Sequence, residues 1–354
     1  MAKKIRVAIA GIGNCASSLI QGCAYYRGKD CSEIGLLHEN FGGYTVGDIE
    51  FVAAFDIDKR KVGKDLSEAI VAEPNCTKNI CNVQEVGVVV QRGPVLDGIA
   101  AHMTSTFLVD EDQKACDVVS ELKKSQAEIL ICYLPVGSAH AARFYAQAAI
   151  DASVGFINAI PEFICSDSEW IQKFVEKGLP CAGDDIKSQI GATIVHRVLS
   201  RLIEDRGQHI DSTYQLNVGG NSDFENMRDE SRLSSKRKSK TQAVVSILDN
   251  ELTNVRIGPS DYIPHLKDNK ICYINIKGRQ FGNVPFELDM KLSVEDSPNS
   301  AGIMVDVIRA MKIALDNNES GHFEAISSLM FKSPKTQMRD SVARELVNDR
   351  YHLN

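Results

Sequence analysis

At 354 residues, 44% hydrophobic and 25% charged, the chain has the length of about two domains and the balance of an ordinary globular protein, which excludes disordered, collagenous and simple coiled-coil architectures. A net charge of −7 argues against nucleic acid as a general partner, because neutralising phosphates takes a basic surface. No apolar run approaches the roughly 18 residues of a membrane helix, and Met1-Ala2-Lys3-Lys4 passes into a strand pattern with no signal-peptide core, so the expected setting is cytoplasmic, with no membrane partner.

In chain order, Ile5 to Ala10 reads as a short buried strand running into the turn Gly11-Ile12-Gly13-Asn14-Cys15-Ala16 and then a helix with Leu19, Ile20 and Cys23 on one side. Residues 27–48 carry five glycines and read as an irregular insert before a second buried strand over 51–56. Further strands are expected at 87–91, 129–133, 155–159 and 180–183, with helices at 116–124, 139–152 and 168–177. This alternation predicts an α/β fold, a doubly wound Rossmann-type parallel sheet. After a helix over 190–205, strands at 212–218, 254–257, 271–277 and 286–295 with few long helices between them predict a second α+β domain with a mostly antiparallel sheet. A helical pattern over 301–315 predicts a return to the first domain, dividing the chain into 1–205 with 301–354, and 206–300.

The glycine turn carries chemistry. Gly11 permits the tight turn, Gly13 lets the backbone approach a pyrophosphate, Ala16 allows close helix–strand packing, and the helix N-terminus faces the phosphates. Asp56 ends the second strand, where a carboxylate accepts from the adenosine ribose, or else merely starts a turn. It stands about 40 residues after the glycines rather than about 20, a delay the insert explains if it loops out. A carboxylate there repels a 2′-phosphate and favours NAD, while Lys59, Arg60 and Lys61 leave NADP open.

Gly183-Asp184-Asp185-Ile186-Lys187-Ser188 joins a strand end to a helix start, placing Asp185, Lys187 and Ser188 at the carboxyl edge of the sheet, although Asp184 or Ser188 could simply cap the helix. Asn217, Asn221 and Asp223, around Gly219-Gly220, suit a hydroxyl-rich ligand or a tight hairpin. Lys236 and Lys240 share a face if helical, with solvated surface charge as the plain alternative. Lys270, Asp296 and Lys332 sit near element ends and carry poor signals singly. The ten cysteines form no Cys-x-x-Cys and read as buried thiols; the eight histidines show no zinc pattern, and whether a divalent or monovalent cation binds is undetermined.

Taken together, these segments resemble the myo-inositol-1-phosphate synthase family over nearly the whole chain. The likeness rests on residues 11–18, Tyr-Leu-Pro-Val-Gly-Ser at 133–138, Gly-Asp-Asp-Ile-Lys-Ser-Gln at 183–189, Leu-Asn-Val-Gly-Gly-Asn at 216–221, Ser-Lys-Thr-Gln-Ala at 239–243 and Asp-Ser-Pro-Asn-Ser-Ala-Gly at 296–302. They resemble the shorter prokaryotic branch, with Gln189-Ile190-Gly191-Ala192-Thr193 where the longer enzymes carry a different pattern.

The resemblance implies an isomerase of inositol and phospholipid biosynthesis that turns glucose 6-phosphate into inositol 3-phosphate by NAD-dependent oxidation at C5, enolisation, aldol closure and re-reduction. It implies a sugar phosphate as the small-molecule partner, and a homotetramer whose second domain is catalytic and oligomerising. It places cofactor contacts at Gly11, Gly13, Asn14, Cys15, Ala16, Asp56, Tyr133, Pro135 and Asp185, substrate contacts at Ser188, Asn217, Asn221, Asp223 and Lys240, and catalysis at Lys236, Lys270, Lys332, Asp185 and Asp296. Within these, Lys236 and Lys332 are expected in proton transfer and oxyanion stabilisation, Lys240 and Ser188 at the phosphate, and Lys270 with Asp296 as a coupled pair, one desolvated lysine being neutral enough to act as base. The competing readings are an ordinary NAD(P)-dependent sugar-phosphate dehydrogenase and a non-catalytic dinucleotide sensor.

Overall fold

A computed structural model describes residues 4–28, 33–229, 243–244, 252 and 254–353; Lys236 and Lys240 lie outside these described residues. The first sheet has seven parallel strands: β1 (Ile5–Ala10), β2 (Ile49–Asp56), β3 (Gln91–Arg92), β4 (Ile129–Cys132), β5 (Gly155–Asn158), β6 (Pro180–Ala182) and β11 (Gly321–His322), in the order β11-β6-β5-β4-β1-β2-β3. The order reverses between β1 and β4, so the crevice beyond their carboxyl ends is where such a fold takes a ligand.

Both faces of the sheet are covered, which is why its strands read as unbroken apolar runs. Side chains still alternate: Ile5, Val7, Ile9, Ile129 and Ile131 pack on one side with α1 (Asn14–Tyr26), α8 (Asp296–Asp316) and α9 (Glu324–Met330). Ala8, Ala10, Leu130 and Cys132 pack on the other with α3 (Val118–Lys124), α4 (Ala139–Ala152) and α5 (Ser168–Glu176).

The insert does loop out between α1 and β2, and a buried ion group in α8 holds it. Arg309 donates to the carbonyls of His38 at 2.8 Å, Glu39 at 3.0 Å and Tyr44 at 3.2 Å, and pairs with Asp306, which His38 Nδ1 also meets at 2.6 Å.

Helix α6 (Ala192–Asp205) leads to a four-stranded sheet ordered β10-β9-β7-β8, with β7 (His209–Gly219), β8 (Val255–Tyr262), β9 (Asn269–Arg279) and β10 (Pro285–Glu295). Two of its pairings are antiparallel, but β7 and β8 run parallel, so the sheet is mixed.

The second sheet is thus mostly antiparallel, as expected, while two expectations need correction. The run 87–91 is not a strand of the main sheet: the Asp65 carboxylate captures the amides of Val86, Gly87 and Val88, and the run pairs locally with 63–66, leaving only Gln91 and Arg92 beside β2. The helix read from 301 begins at Asp296, because Pro298 falls in its first turn, where its missing N–H would have had no intrahelical partner.

Candidate active site

At the sheet's switch point the chain forms a cleft with a cavity of about 270 Å³. Its floor is the glycine turn. Gly11 has φ +93°, and a Cβ added there would lie 2.6 Å from the Tyr133 carbonyl oxygen, so only glycine lets the strand turn so tightly against β4. A Cβ added at Gly13 would meet nothing within 4 Å, which makes the space beside it room for a ligand rather than a packing need. Gly13 is also the N-cap of α1, without a side-chain cap, so the first amides of a 13-residue helix face that space. Asn14 pins the neighbouring wall, its Oδ1 accepting from the amides of Cys76 at 2.7 Å and Thr77 at 3.0 Å. Asp56 stands opposite: its carboxylate accepts from Ile12 N at 2.7 Å and from the amides of Ile57 and Asp58 at 2.8 and 2.9 Å, so it belongs to the turn and also faces the cavity. Tyr133, Pro135 and Ala16 complete this half. An open glycine, helix amides without a side-chain cap and a carboxylate across the cavity fit a dinucleotide.

The other half gathers residues that are far apart in sequence. The stretch 184–187 pairs with 330–333 through Lys332 N to Asp185 O at 2.7 Å, Lys187 N to Met330 O at 2.8 Å and a bridge between Ile186 and Phe331. That pairing puts Lys332 Nζ 2.6 Å from Asp185 Oδ1. Asp185 has φ +61°, unusual for a residue with a side chain and found where surroundings over-determine the backbone. Its neighbour Asp184 serves the scaffold: fully buried, it accepts from the amides of Ile164, Cys165 and Ser166 and from Asn158 Nδ2 at 2.7 Å. Burial pushes that carboxyl up to about 6 against these donors.

In the same way the hairpin register sets Val294 opposite Lys270, so that Lys270 Nζ meets Asp296 Oδ1 at 2.6 Å as α8 begins. Burial alone would lower the Lys270 ammonium, but the Asp296 charge and hydrogen bond, with Asp223 nearby, hold it above the usual lysine value. Lys270 and Asp296 thus form the expected coupled pair, with the ammonium favoured in its charged form. Ser188, Asn217, Asn221 and Asp223 face the same cavity. Asn217 is braced by Gly258 O at 2.8 Å and Gln215 Nε2 at 3.1 Å; Asn221 caps α7 (Ser222–Asn226) and donates to Asp268 Oδ1 at 3.0 Å. The stretch after β7 is not a hairpin: a Cβ on Gly220 would lie 2.3 Å from the Ile263 carbonyl oxygen, so the glycine seats the chain against 263–267.

Lys187, singled out with Asp185, does not face the cavity. It is buried between Asp340 Oδ1 at 3.0 Å and the Ser328 carbonyl at 2.8 Å, and burial lowers it to about 8. Cys15 lies in the turn as a neutral thiol, pushed up to about 12 by burial.

Several contributors carried no sequence signal. Asp268 is buried and accepts from Asn221 Nδ2, from Ser297 N at 3.1 Å and from Ser297 Oγ at 2.8 Å, tying Asn221 to the start of α8. Val95, Leu96, Ile99, Met103 and Phe107 form an apolar wall from a segment without regular strands. Among the described residues no group of three or more His, Cys, Asp or Glu side chains could hold a metal, and no helix is long and apolar enough to cross a membrane.

Comparison with known proteins agrees with this geometry. A profile of the myo-inositol-1-phosphate synthase family matches residues 191–297. The inositol-3-phosphate synthase of Corynebacterium glutamicum is 56% identical over 351 residues, 96% of each chain. That of Mycolicibacterium smegmatis is 54% identical over 351 residues, 97% of this chain and 96% of its own. In fold, the crystal structure of a myo-inositol-1-phosphate synthase-related protein from Thermotoga maritima superposes with a TM-score of 0.80 at 23% identity, covering 99% of both chains. With sequence likeness over 96% or more of its length and a Rossmann-type domain meeting a second sheet at one cavity, the chain belongs to the inositol-3-phosphate synthase family and is an enzyme of that type.

Proposed function

We propose that this chain converts D-glucose 6-phosphate to inositol 3-phosphate within the one cavity, with NAD beside the glycine turn and the sugar phosphate between the Lys332–Asp185 and Lys270–Asp296 pairs. The observation that carries the reading is the convergence of these two ion pairs, from four separate segments, on the space facing Gly13. Bound NAD⁺ would supply a reversible hydride acceptor for C5 of the open-chain sugar.

The chain's own residues do the rest. Lys270, held charged by Asp296, faces the oxygen on which negative charge develops when the ketone enolises, a preorganised cation in a site walled by Val95, Leu96 and Phe107. Lys332 exchanges a proton with the reacting carbon or oxygen, with Asp185 orienting its Nζ. Ser188 and Lys240 hold the phosphate and Lys236 shares the proton transfers; Asn217, Asn221 and Asp223 face the sugar hydroxyls. A sensor would have no need of two half-buried ion pairs beyond its dinucleotide. The active unit is a homotetramer, and sedimentation should give the mass of four chains rather than one.

The test is direct. Purified protein with glucose 6-phosphate and NAD⁺ should accumulate inositol phosphate without net NADH. Lys332→Ala should remain folded and bind NAD⁺ yet lose about 10²-fold or more in turnover, the scale of a removed proton-transfer or charge-stabilising group. Stoichiometric NADH release would instead identify an open dehydrogenase.

A further inference from the structure

Three basic residues, Lys59, Arg60 and Lys61, follow the ribose-side carboxylate Asp56, where a positive charge would serve the 2′-phosphate of NADP. Two of them are engaged elsewhere. Lys61 is 1% exposed and donates to the Ile12 carbonyl at 2.8 Å and Asn75 Oδ1 at 2.9 Å, bracing the glycine turn from behind. Arg60 makes a two-pronged contact with Asp58, Nε to Oδ1 at 2.9 Å and Nη2 to Oδ2 at 2.5 Å, and Nη2 also reaches the Thr106 carbonyl at 2.5 Å. Asp58 is fully buried and further fixed by the amides of Arg60 at 2.9 Å and Leu108 at 3.3 Å. Neither Asp58 nor Arg60 faces the cavity, whereas Asp56 does.

A planar guanidinium matched edge to edge with a carboxylate has its direction fixed, and drawing it away would leave a buried acid without its cation. Resting on the NAD site proposed above, we infer that Asp58 is a specificity-determining residue: by clamping Arg60 behind the cavity wall it denies the site its one guanidinium on this turn, so that the 2′-phosphate of NADP meets the Asp56 carboxylate without that charge. Selection against the 2′-phosphate would then have two parts, repulsion by Asp56 and sequestration of Arg60 by Asp58. Sequence alone shows the basic triplet and leaves NADP open; the clamp takes Arg60 out of that triplet, as the brace behind the glycine turn takes Lys61.

The experiment is calorimetric titration of the full-length protein and its variants with NAD⁺ and, separately, NADP⁺, with thermal unfolding as the check on folding. Asp58→Asn keeps an acceptor for the two amides but surrenders the ion pair, so Arg60 can swing toward the ribose. The ratio of NADP⁺ to NAD⁺ dissociation constants should narrow by about tenfold, the value of one added charge-assisted hydrogen bond. Adding Arg60→Gln to Asp58→Asn should restore the wide ratio, because the guanidinium that met the phosphate is gone. Asp58→Ser, which also surrenders the ion pair, should narrow the ratio in the same direction and decides the matter if Asp58→Asn fails to fold. A folded Asp58→Asn that binds NAD⁺ with an unchanged ratio, or a rise in NADP⁺ affinity that persists without Arg60, would overturn the clamp. Failure of the unmodified protein to bind either dinucleotide would strike at the cofactor site itself, a separate result.

Discussion

Glycines 11 and 13 stand two residues apart yet answer to different physics. Gly11 is required by the fold, since its φ is +93° and the Tyr133 carbonyl oxygen would lie 2.6 Å from any Cβ. Gly13 has an ordinary φ of −86° and empty space where a side chain would go. Gly13→Val should therefore fold with little change in unfolding temperature while NAD⁺ affinity falls at least about tenfold, one displaced hydrogen bond to a charged ligand being worth that much. Gly11→Ala should lose stability as well. Equal NAD⁺ affinity in a folded Gly13→Val would remove the pyrophosphate from this turn. Both glycines are legible in the sequence, because their spacing between a strand and a helix is a local signal. The individual roles of Asn217 and Asn221 are not: their motif shows polar groups but cannot show that Gly258, Gln215 and Asp268 already brace them.

Elements are legible where the chain is periodic and obscure where pairing is non-local. Strands β1, β2, β4, β5 and β6 follow from short apolar runs, and α1 and α4 through α6 from helical spacing. Nothing local announces that β8 runs parallel to β7, or that the two residues of β11 join the edge of the first sheet. The same holds for the site's two ion pairs, which depend on strand register and on the pairing of 184–187 with 330–333.

The seam between α6 and the second sheet has its own consequence for stability. His196 is buried between Thr213 Oγ1 at 2.8 Å and Gln215 Oε1 at 3.2 Å, and burial lowers it to about 4. Because the folded value is depressed, the neutral ring's contribution is present above the unfolded value near 6.5 and is lost as pH falls toward 4. The contribution is about 3 kcal/mol at full extent, at roughly 1.4 kcal/mol per unit. Urea unfolding of wild type and His196→Gln at pH 7.5 and 4.5 should show the variant's deficit shrinking by about 2 kcal/mol or more in acid. A deficit that stays constant with pH would mean that this histidine does not titrate between the folded and unfolded states.

For the molecule as a whole, the two sheets divide the work. The parallel sheet contributes the glycine turn and Asp56, the second sheet contributes Asn217 and Lys270, and the C-terminal stretch returns with α8, β11 and Lys332 to close the cavity between them. In the proposed cycle this shared space serves to oxidise a carbon, carry charge through enolisation and ring closure, and reduce the same carbon again without release. Deuterium at C5 of glucose 6-phosphate tests that claim most directly. The label should reappear on the corresponding carbon of the inositol phosphate, with none in solvent or free NADH; an active preparation whose product has lost it would contradict the closed cycle.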